Sequence, residues 1–440
     1  MKKLEKLKNQ KKIFLISKMK IVIACCWSYY NKGDAAIALA TIKLIQKIVP
    51  NVEITMLAFD HHSFIKHKKE LGDSIKVLPM PSITDSLQPL RVLFGTASRV
   101  ALKGLFGPLF LILSLALMPL LKLFDSQLKC TLRSIDDSHL VIIVGGNYLY
   151  SHFGFYIHAI PIVYAKFLRK KKTVMLGHSI GPFEDALSRT VARIILYRMN
   201  LVTYREELSS LYVRKNLNVN APNMFVSCDM SFFLQSPKTT CEVLESQPRV
   251  GITVRKWLFN QPNLYKRYID SITQTAFNLM KDGFEVYLIP FSYIGGGEDD
   301  LGPCKIIYSK LSTIYPKKVY LLNVKEESPT SLVKIMGKLG LHIFIGTRMH
   351  SVIMASLARI PSIIISYQHF KAHGISQQLG LHNYVISIEN ITPHRLMTCV
   401  EKLLKHYERE RTNLIMTIQQ LKKINERKIC SALLSLIHVD

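Results

Sequence analysis

Residues 344–371 read FIGTRMHSVIMASLARIPSIIISYQHFK, and no other stretch limits the fold as tightly. The apolar run Ile343-Phe344-Ile345 ends in a Gly346-Thr347 turn, followed by Arg348-Met349-His350-Ser351. An apolar helical segment, Val352 to Leu357, comes next, and Pro361 resets the chain into a second strand, Ile363-Ile364-Ile365. Strand, turn, helix and strand in so few residues is the βαβ unit of an open parallel sheet. Ligands in such sheets sit beyond the carboxyl ends of the strands, where helices begin. Arg348 and His350 fall there. Arginine brings a planar fork of donors suited to carboxylate or phosphate. A histidine two residues on can donate a hydrogen bond or a proton. The plainer reading makes Arg348 a surface cap and His350 a satisfied, half-buried histidine, and this stretch alone leaves both open.

The same grammar repeats along the chain. Ile21 to Cys26 is a continuous apolar run, the mark of a buried parallel strand. It ends in Trp27-Ser28-Tyr29-Tyr30-Asn31-Lys32-Gly33-Asp34, with a helix from Ala35 to Ile48. Asn31, Gly33 and Asp34 are turn and cap residues by type; Asp34 is most simply the helix N-cap, with a substrate contact as the alternative. The loop lacks GxGxxG and the P-loop spacing, so it gives no dinucleotide or ATP site. Further strands are expected at Val52–Phe59, Leu140–Val144, Val174–Leu176 and Leu201–Tyr204. Gly145-Gly146-Asn147 and Gly177-His178-Ser179 lie at two of their carboxyl ends. A polar stretch at 235–248 with two prolines reads as a linker. A second set of strands follows at Val250–Val254, Phe284–Ile289 and Val319–Leu322, the first ending in Arg255. The chain thus divides into a basic arm (1–19), a Rossmann-like α/β domain (20–234) with an apolar insertion at 104–121, the linker, a second Rossmann-like domain (249–395), and closing helices (396–440).

A formal net charge of +27 favours an anionic partner. No aromatic residues interleave with the basic runs and no zinc-finger spacing occurs, so nucleic acid ranks below an acidic membrane surface or an anionic ligand. Residues 104–121, GLFGPLFLILSLALMPLL, carry no charge. That length is at the lower edge for crossing a bilayer, but a crossing there would separate strands that belong to one sheet. The segment should therefore dip into one leaflet, lie in the interface, or form a buried core hairpin. Flanking Arg91, Arg99, Lys103, Lys122, Lys129 and Arg133 suit anionic headgroups. The eight cysteines include no CxxC pair and read as reduced thiols of a cytoplasmic protein. His61, His62 and His67 match no zinc template, and Asp299 and Asp300 read as helix caps, so no metal site is expected.

Taken in order, Asn31-Lys-Gly-Asp34, Gly145-Gly146, Gly177-His-Ser-Ile-Gly-Pro182, Arg205, Asp229, Val254-Arg255-Lys-Trp257, Asp299-Asp300, Gly346-Thr-Arg-Met-His350, Pro361 and Tyr367 to Lys371 resemble the polysaccharide pyruvyl transferase family. The resemblance spans about residues 20–385 and leaves out the lysine-rich start and Gly104–Leu121. It implies an α/β fold of two Rossmann-like, doubly wound halves facing across a cleft, as in GT-B glycosyltransferases. It implies phosphoenolpyruvate as donor substrate without a further cofactor, and a hydroxyl pair of a sugar as acceptor, giving a cyclic pyruvate ketal. Carried over by motif, Arg255, Arg348 and His350 form the donor site.

Phosphoenolpyruvate carries a carboxylate and a phosphate, so its site needs at least two separated cations, here Arg255 and Arg348. Ser351 and Lys371 are candidate donor contacts, Lys371 equally a structural cap. His350 is the expected general acid toward the methylene carbon, since an ordinary pKa of ~6.5 populates both forms near neutrality. Asn31, Asp34 and His178 would hold or deprotonate the acceptor, although turn chemistry explains all three. A lipid-linked oligosaccharide acceptor would account for a peripheral position on the inner membrane face. Two rivals stand. One is a nucleotide-sugar transferase on the same architecture, with Glu326 or Glu327 on the ribose. The other is a non-catalytic, membrane-attached component of glycan assembly.

Overall fold

The computed structural model describes residues 19–81, 103–236, 247–256, 261–295, 298–367 and 369–438. The basic arm (apart from Met19), most of the proposed linker, and Arg91 and Arg99 lie outside the described residues.

The first half is one parallel sheet in the order β3-β2-β1-β4-β5-β6-β7. Its strands are β1 (Lys20–Cys26), β2 (Glu53–Ala58), β3 (Lys76–Pro79), β4 (Leu140–Val144), β5 (Lys172–His178), β6 (Leu201–Tyr204) and β7 (Met224–Val226). Its longer helices are α1 (Lys32–Ile48), α2 (Lys103–Phe124), α3 (Ser126–Asp136), α4 (Phe153–Val163), α5 (Ala186–Arg198) and α6 (Glu207–Asn216), with two short helices at His61–Lys66 and Lys68–Leu71. The second sheet runs β10-β9-β8-β11-β12-β13, also wholly parallel. It comprises β8 (Arg249–Thr253), β9 (Glu285–Leu288), β10 (Val319–Leu321), β11 (Ile343–Gly346), β12 (Ser362–Ser366) and β13 (Val385–Ser387). Its helices are α7 (Pro262–Lys281), α8 (Leu301–Ser312), α9 (Pro329–Lys338), α10 (Met349–Leu357), α11 (His369–Leu379) and α12 (Pro393–Lys405), and α13 (Tyr407–His438) closes the chain.

Central strands are buried on both faces, which is why they read as unbroken apolar runs: β4, LVIIV, is buried at every position. In both sheets the strand order reverses at one point, between β1 and β4 and between β8 and β11. Such reversals open a crevice at the carboxyl ends of the strands. The two crevices face each other. The tip of α1 joins them: Lys32 N–H bonds Phe291 O at 2.9 Å, and its buried ammonium donates to Lys325 O and Glu327 O at 2.6 and 2.9 Å. The closing helix packs on α10 and α11 of the second half and reaches the first, with Lys422 donating to Leu234 O and Lys172 donating to Leu436 O.

The apolar insertion is one helix, α2, not a hairpin. Phe110, Leu111, Ser114 and Met118 form its buried face, while Phe106, Leu109, Ile112, Leu113, Leu120, Leu123 and Phe124 are exposed. It is long and apolar enough to cross a membrane by length and composition. Yet β1 and β4, on either side of it in sequence, pair directly in one sheet.

Candidate active site

A cavity of about 380 Å³ lies where the two crevices meet. Each wall comes from a strand end. The first half supplies Trp27, Asn31, Gly33 and Asp34 after β1, and Gly145 to Tyr148, Tyr150, His152 and His158 after β4. The second supplies Arg255 after β8, Glu298 after β9, Arg348, Met349 and His350 after β11, and Tyr367 and Lys371 after β12. Gly145 is required by close approach, since a Cβ there would sit 2.4 Å from Gly177 O.

Asn31, not Asp34, is the N-cap of α1: its Oδ1 accepts from Gly33 N and Asp34 N at 3.1 and 3.5 Å. Asp34 is thereby left to face the cavity. Burial, reinforced by Glu298, lifts its carboxyl to about 7 against the pull of Lys371, Arg348 and Arg205. A carboxyl with that pKa exchanges protons readily at neutral pH.

Arg255 lies with its guanidinium carbon 4.4 Å from the centroid of the Tyr367 ring. No carboxylate among the described residues is within ion-pair reach of it, and its buried Nε has no hydrogen-bond partner among them. Burial raises the Tyr367 phenol, but Arg255, Lys371 and Arg348 outweigh it and bring the group below its ordinary value.

Arg348 lines the cavity but is largely committed. Its Nε and Nη2 hold Asp300 at 2.7 and 2.8 Å, and Nη2 also reaches Glu298 O at 2.9 Å. Burial opposes the guanidinium charge, and Asp300 more than restores it. Asp300 stands at the N-cap position of α8, as expected, but its side chain makes no capping hydrogen bond. Asp299 caps α8 through Leu301 N and Gly302 N, while Asp300 fixes Arg348 and accepts from Phe291 N and Ser292 N.

His350 needs a similar correction. Its Nε2 lies 3.3 Å from Asp229 Oδ2, across the gap between the halves. Asp229 Oδ2 also accepts from Arg205 Nη1 at 2.8 Å, and Oδ1 accepts from Ser231. Burial works against the Asp229 charge, but His350, Arg205 and Ser231 hold its carboxyl well below the usual range. An ionised carboxylate only accepts, so the imidazole proton sits on Nε2 and Nδ1 keeps its lone pair. Burial, aided by Lys371 and Arg205, pushes His350 down to about 4 against Asp229. It is neutral at pH 7, and the ordinary pKa that recommended it as general acid does not apply.

Two other expected contacts do not reach the cavity. Ser351 is buried and bonds Arg348 O at 2.5 Å and Thr253 Oγ1 at 2.9 Å, tying the turn to β8. His178 is fully buried behind Tyr148, whose hydroxyl lies 2.9 Å from its Nε2, and burial pushes it down to about 3. Lys371 does line the cavity from the first turn of α11, its ammonium lowered by burial and by Arg205 against Tyr367, Asp229 and Asp34. Sequence reasoning missed the aromatic wall: Trp27, Tyr148, Tyr150 and His152, with His158 stacked on Tyr148 at 4.1 Å. All but His158 directly follow β1 or β4, so the strand-end rule was signal enough; His158 sits inside an apolar helix and gave none.

A family model described as polysaccharide pyruvyl transferase matches residues 31–369. The amylovoran biosynthesis protein AmsJ of Erwinia amylovora is 22% identical over 314 residues, covering 68% of this chain and 72% of AmsJ. Among solved structures, Anabaena Alr3699/HepE in complex with UDP and glucose superposes with a TM-score of 0.56 at 14% identity, covering 95% of this chain and 100% of that one. UDP-GlcNAc 2-epimerase from Neisseria meningitidis gives 0.57 at 13% identity, with 95% and 100% covered. At such identities the structural likeness shows a shared fold, that of GT-B enzymes.

Proposed function

Because the chain belongs to the polysaccharide pyruvyl transferase family, we propose that this member moves pyruvate from phosphoenolpyruvate to a hydroxyl pair of a cell-surface polysaccharide or its lipid-linked precursor, in the cytoplasm. The observation that carries the donor assignment is Arg255, a cation on the cavity wall with no carboxylate partner and an unmet buried Nε–H. A group in that state suits an anion. Lys371 and Arg348 add positive charge on the same wall. Together they match a ligand bearing both carboxylate and phosphate.

The proton chemistry falls to Asp34. In its neutral form it gives a proton to the methylene carbon, which becomes the methyl group. The central carbon gains cationic character, and a sugar hydroxyl adds there while Asp34, now a carboxylate, takes that hydroxyl's proton. A second hydroxyl displaces phosphate, which leaves with the remaining proton, and the ketal ring is closed. Two hydroxyl protons enter; one ends on the methyl group and one on phosphate. His350, neutral and fixed by Asp229, positions Asp34's neighbourhood through its contact with Gly33 and offers an acceptor nitrogen. The aromatic residues of the β1 and β4 loops form a wall suited to a sugar ring, whose C–H faces pack on such surfaces.

The nucleotide-sugar reading loses its ribose contact: Glu326 pairs with Lys66 and His67, Glu327 accepts from Ser331, and neither lines the cavity. The test is phosphate release from phosphoenolpyruvate with a panel of lipid-linked glycans, run beside labelled UDP-sugars. Acceptor-dependent phosphate release supports the proposal. Sugar transfer from UDP-sugar without phosphate release from phosphoenolpyruvate would replace it.

A further inference from the structure

The outer face of α2 continues onto a second helix. α5 packs beside α2 and exposes Leu187, Ile194 and Tyr197, the last 72% accessible. On α2 the exposed residues include Ile112, Leu123 and Phe124 at 63%, 71% and 83%. Side chains this large and this exposed on two adjoining helices exceed the scattered apolar residues of an ordinary surface. The two helices contain no acidic residue. Lys122, Arg189, Arg193 and Arg198 edge the patch, and none pairs with a carboxylate among the described residues.

We propose that this α2–α5 face seats the protein on an anionic lipid bilayer. Charge decides among the occupants. A second copy meeting the same face by two-fold symmetry would oppose one unpaired basic rim to another. An anionic leaflet instead offers apolar depth under the aliphatic and phenylalanine side chains and phosphate at the height of the arginines, the pattern of interfacial helices. Crossing is ruled out by the direct pairing of β1 with β4 and by the packing of α2's inner face on α4, where Gly107 abuts the Tyr156 ring. α4 links the face to the cavity: Tyr156 lies one turn beyond His152, which lines it. A membrane-seated first half would present its acceptor wall to lipid-linked glycans. That last consequence rests on the proposed reaction; the docking does not.

The test is flotation of the full chain with vesicles of phosphatidylcholine alone or with about one third phosphatidylglycerol, without donor or acceptor. The wild type should float with the anionic vesicles and be released by high salt. Ile112→Asp with Leu123→Asp, both at exposed positions, should lower binding at least tenfold. Charge reversal at Arg189, Arg193 and Arg198 should lower it by about a hundredfold. In a Leu123→Trp variant the emission should shift to the blue and be quenched by brominated lipid. Failure of the wild type to float, or full binding by the aspartate variant with no quenching of Trp at 123, overturns the proposal and assigns any binding to another basic segment. A dimer in gel filtration that the aspartate variant dissolves overturns it too, giving the face to a second copy. None of these results depends on phosphoenolpyruvate, so failure here is separate from failure of the reaction.

Discussion

Gly33→Ala probes the contact on which the two halves of the site meet. Alanine normally stabilises a helix over glycine by about 1 kcal/mol. Here its Cβ would lie 2.1 Å from His350 Nδ1, 2.6 Å from Cγ and 2.9 Å from the His350 Cβ. Ordinary carbon contacts begin near ~3.5 Å, so the ring, 2.1 Å away at Nδ1, must retreat by roughly 1.4 Å. Rotation alone cannot achieve this, because the His350 Cβ is also too close; α1 or α10 must shift. The Nε2–Asp229 contact, at 3.3 Å, has no slack to follow. Overpacking costs about 1–3 kcal/mol and a lost hydrogen bond to a charged group about 1.5–3 kcal/mol. Net destabilisation of ~2–4 kcal/mol is expected by urea denaturation, and a displacement of ~1 Å at the site should cut kcat/KM about a hundredfold. Adding Gly33→Ala to His350→Ala should cost less than Gly33→Ala alone, because the ring clash is gone and only the 2.9 Å contact with the remaining Cβ persists. If Gly33→Ala alone leaves both stability and phosphate release within twofold of wild type, the pairing of α1 with His350 described here is wrong.

Asp34 holds its proton up to about 7 in the fold and to about 4 in the unfolded chain. Between those values the folded form binds more protons, so stability should fall as pH rises. Asp34→Asn should raise Tm at pH 8 and leave it unchanged near pH 4, while abolishing phosphate release; wild-type activity should decline above pH 7. His350, depressed to about 4 from 6.5, works in the opposite direction: its contribution is full above 6.5 and is lost as pH falls toward 4. The pH–rate profile should therefore show no acid limb near 6.5. Arg255→Ala should raise KM for phosphoenolpyruvate at least tenfold with Tm within a degree or two, as expected of a cation whose contact is the Tyr367 ring and which has no carboxylate partner among the described residues. Asp229→Ala, which leaves the fully buried Arg205 with Glu206 as its remaining carboxylate and takes the partner from His350, should destabilise by about 3 kcal/mol in denaturant.

Much of the fold was legible because parallel strands buried on both faces must be apolar throughout, and short runs such as Ile21–Cys26 and Leu140–Val144, each closed by turn residues, fit that pattern. The short edge strands β3 and β13 carry no such signal; Lys76–Pro79 and Val385–Ser387 are held by pairing with β2 and β12. Arg255, Arg348, His350, Lys371, Asn31 and Asp34 were legible as strand-end residues, and all six line the cavity. Their roles were less so, because residue type does not reveal a long-range partner. Arg348 reads as a free fork until Asp300 is found on it. His350 reads as an acid until burial is known, and Asp34 as a cap until Asn31 takes that place. His178 and Ser351 show the limit of the strand-end rule, which finds the neighbourhood but not which side chains turn inward.

The line from Arg205 through Asp229 to His350 begins deep in one half and ends in the other. Exchanging either half alone in a chimera would separate Asp229 from the imidazole that meets it across the gap. Recombination that aims to alter which glycan is recognised should move loops after β1 and β4 only, and keep Asp229 with the histidine it answers to.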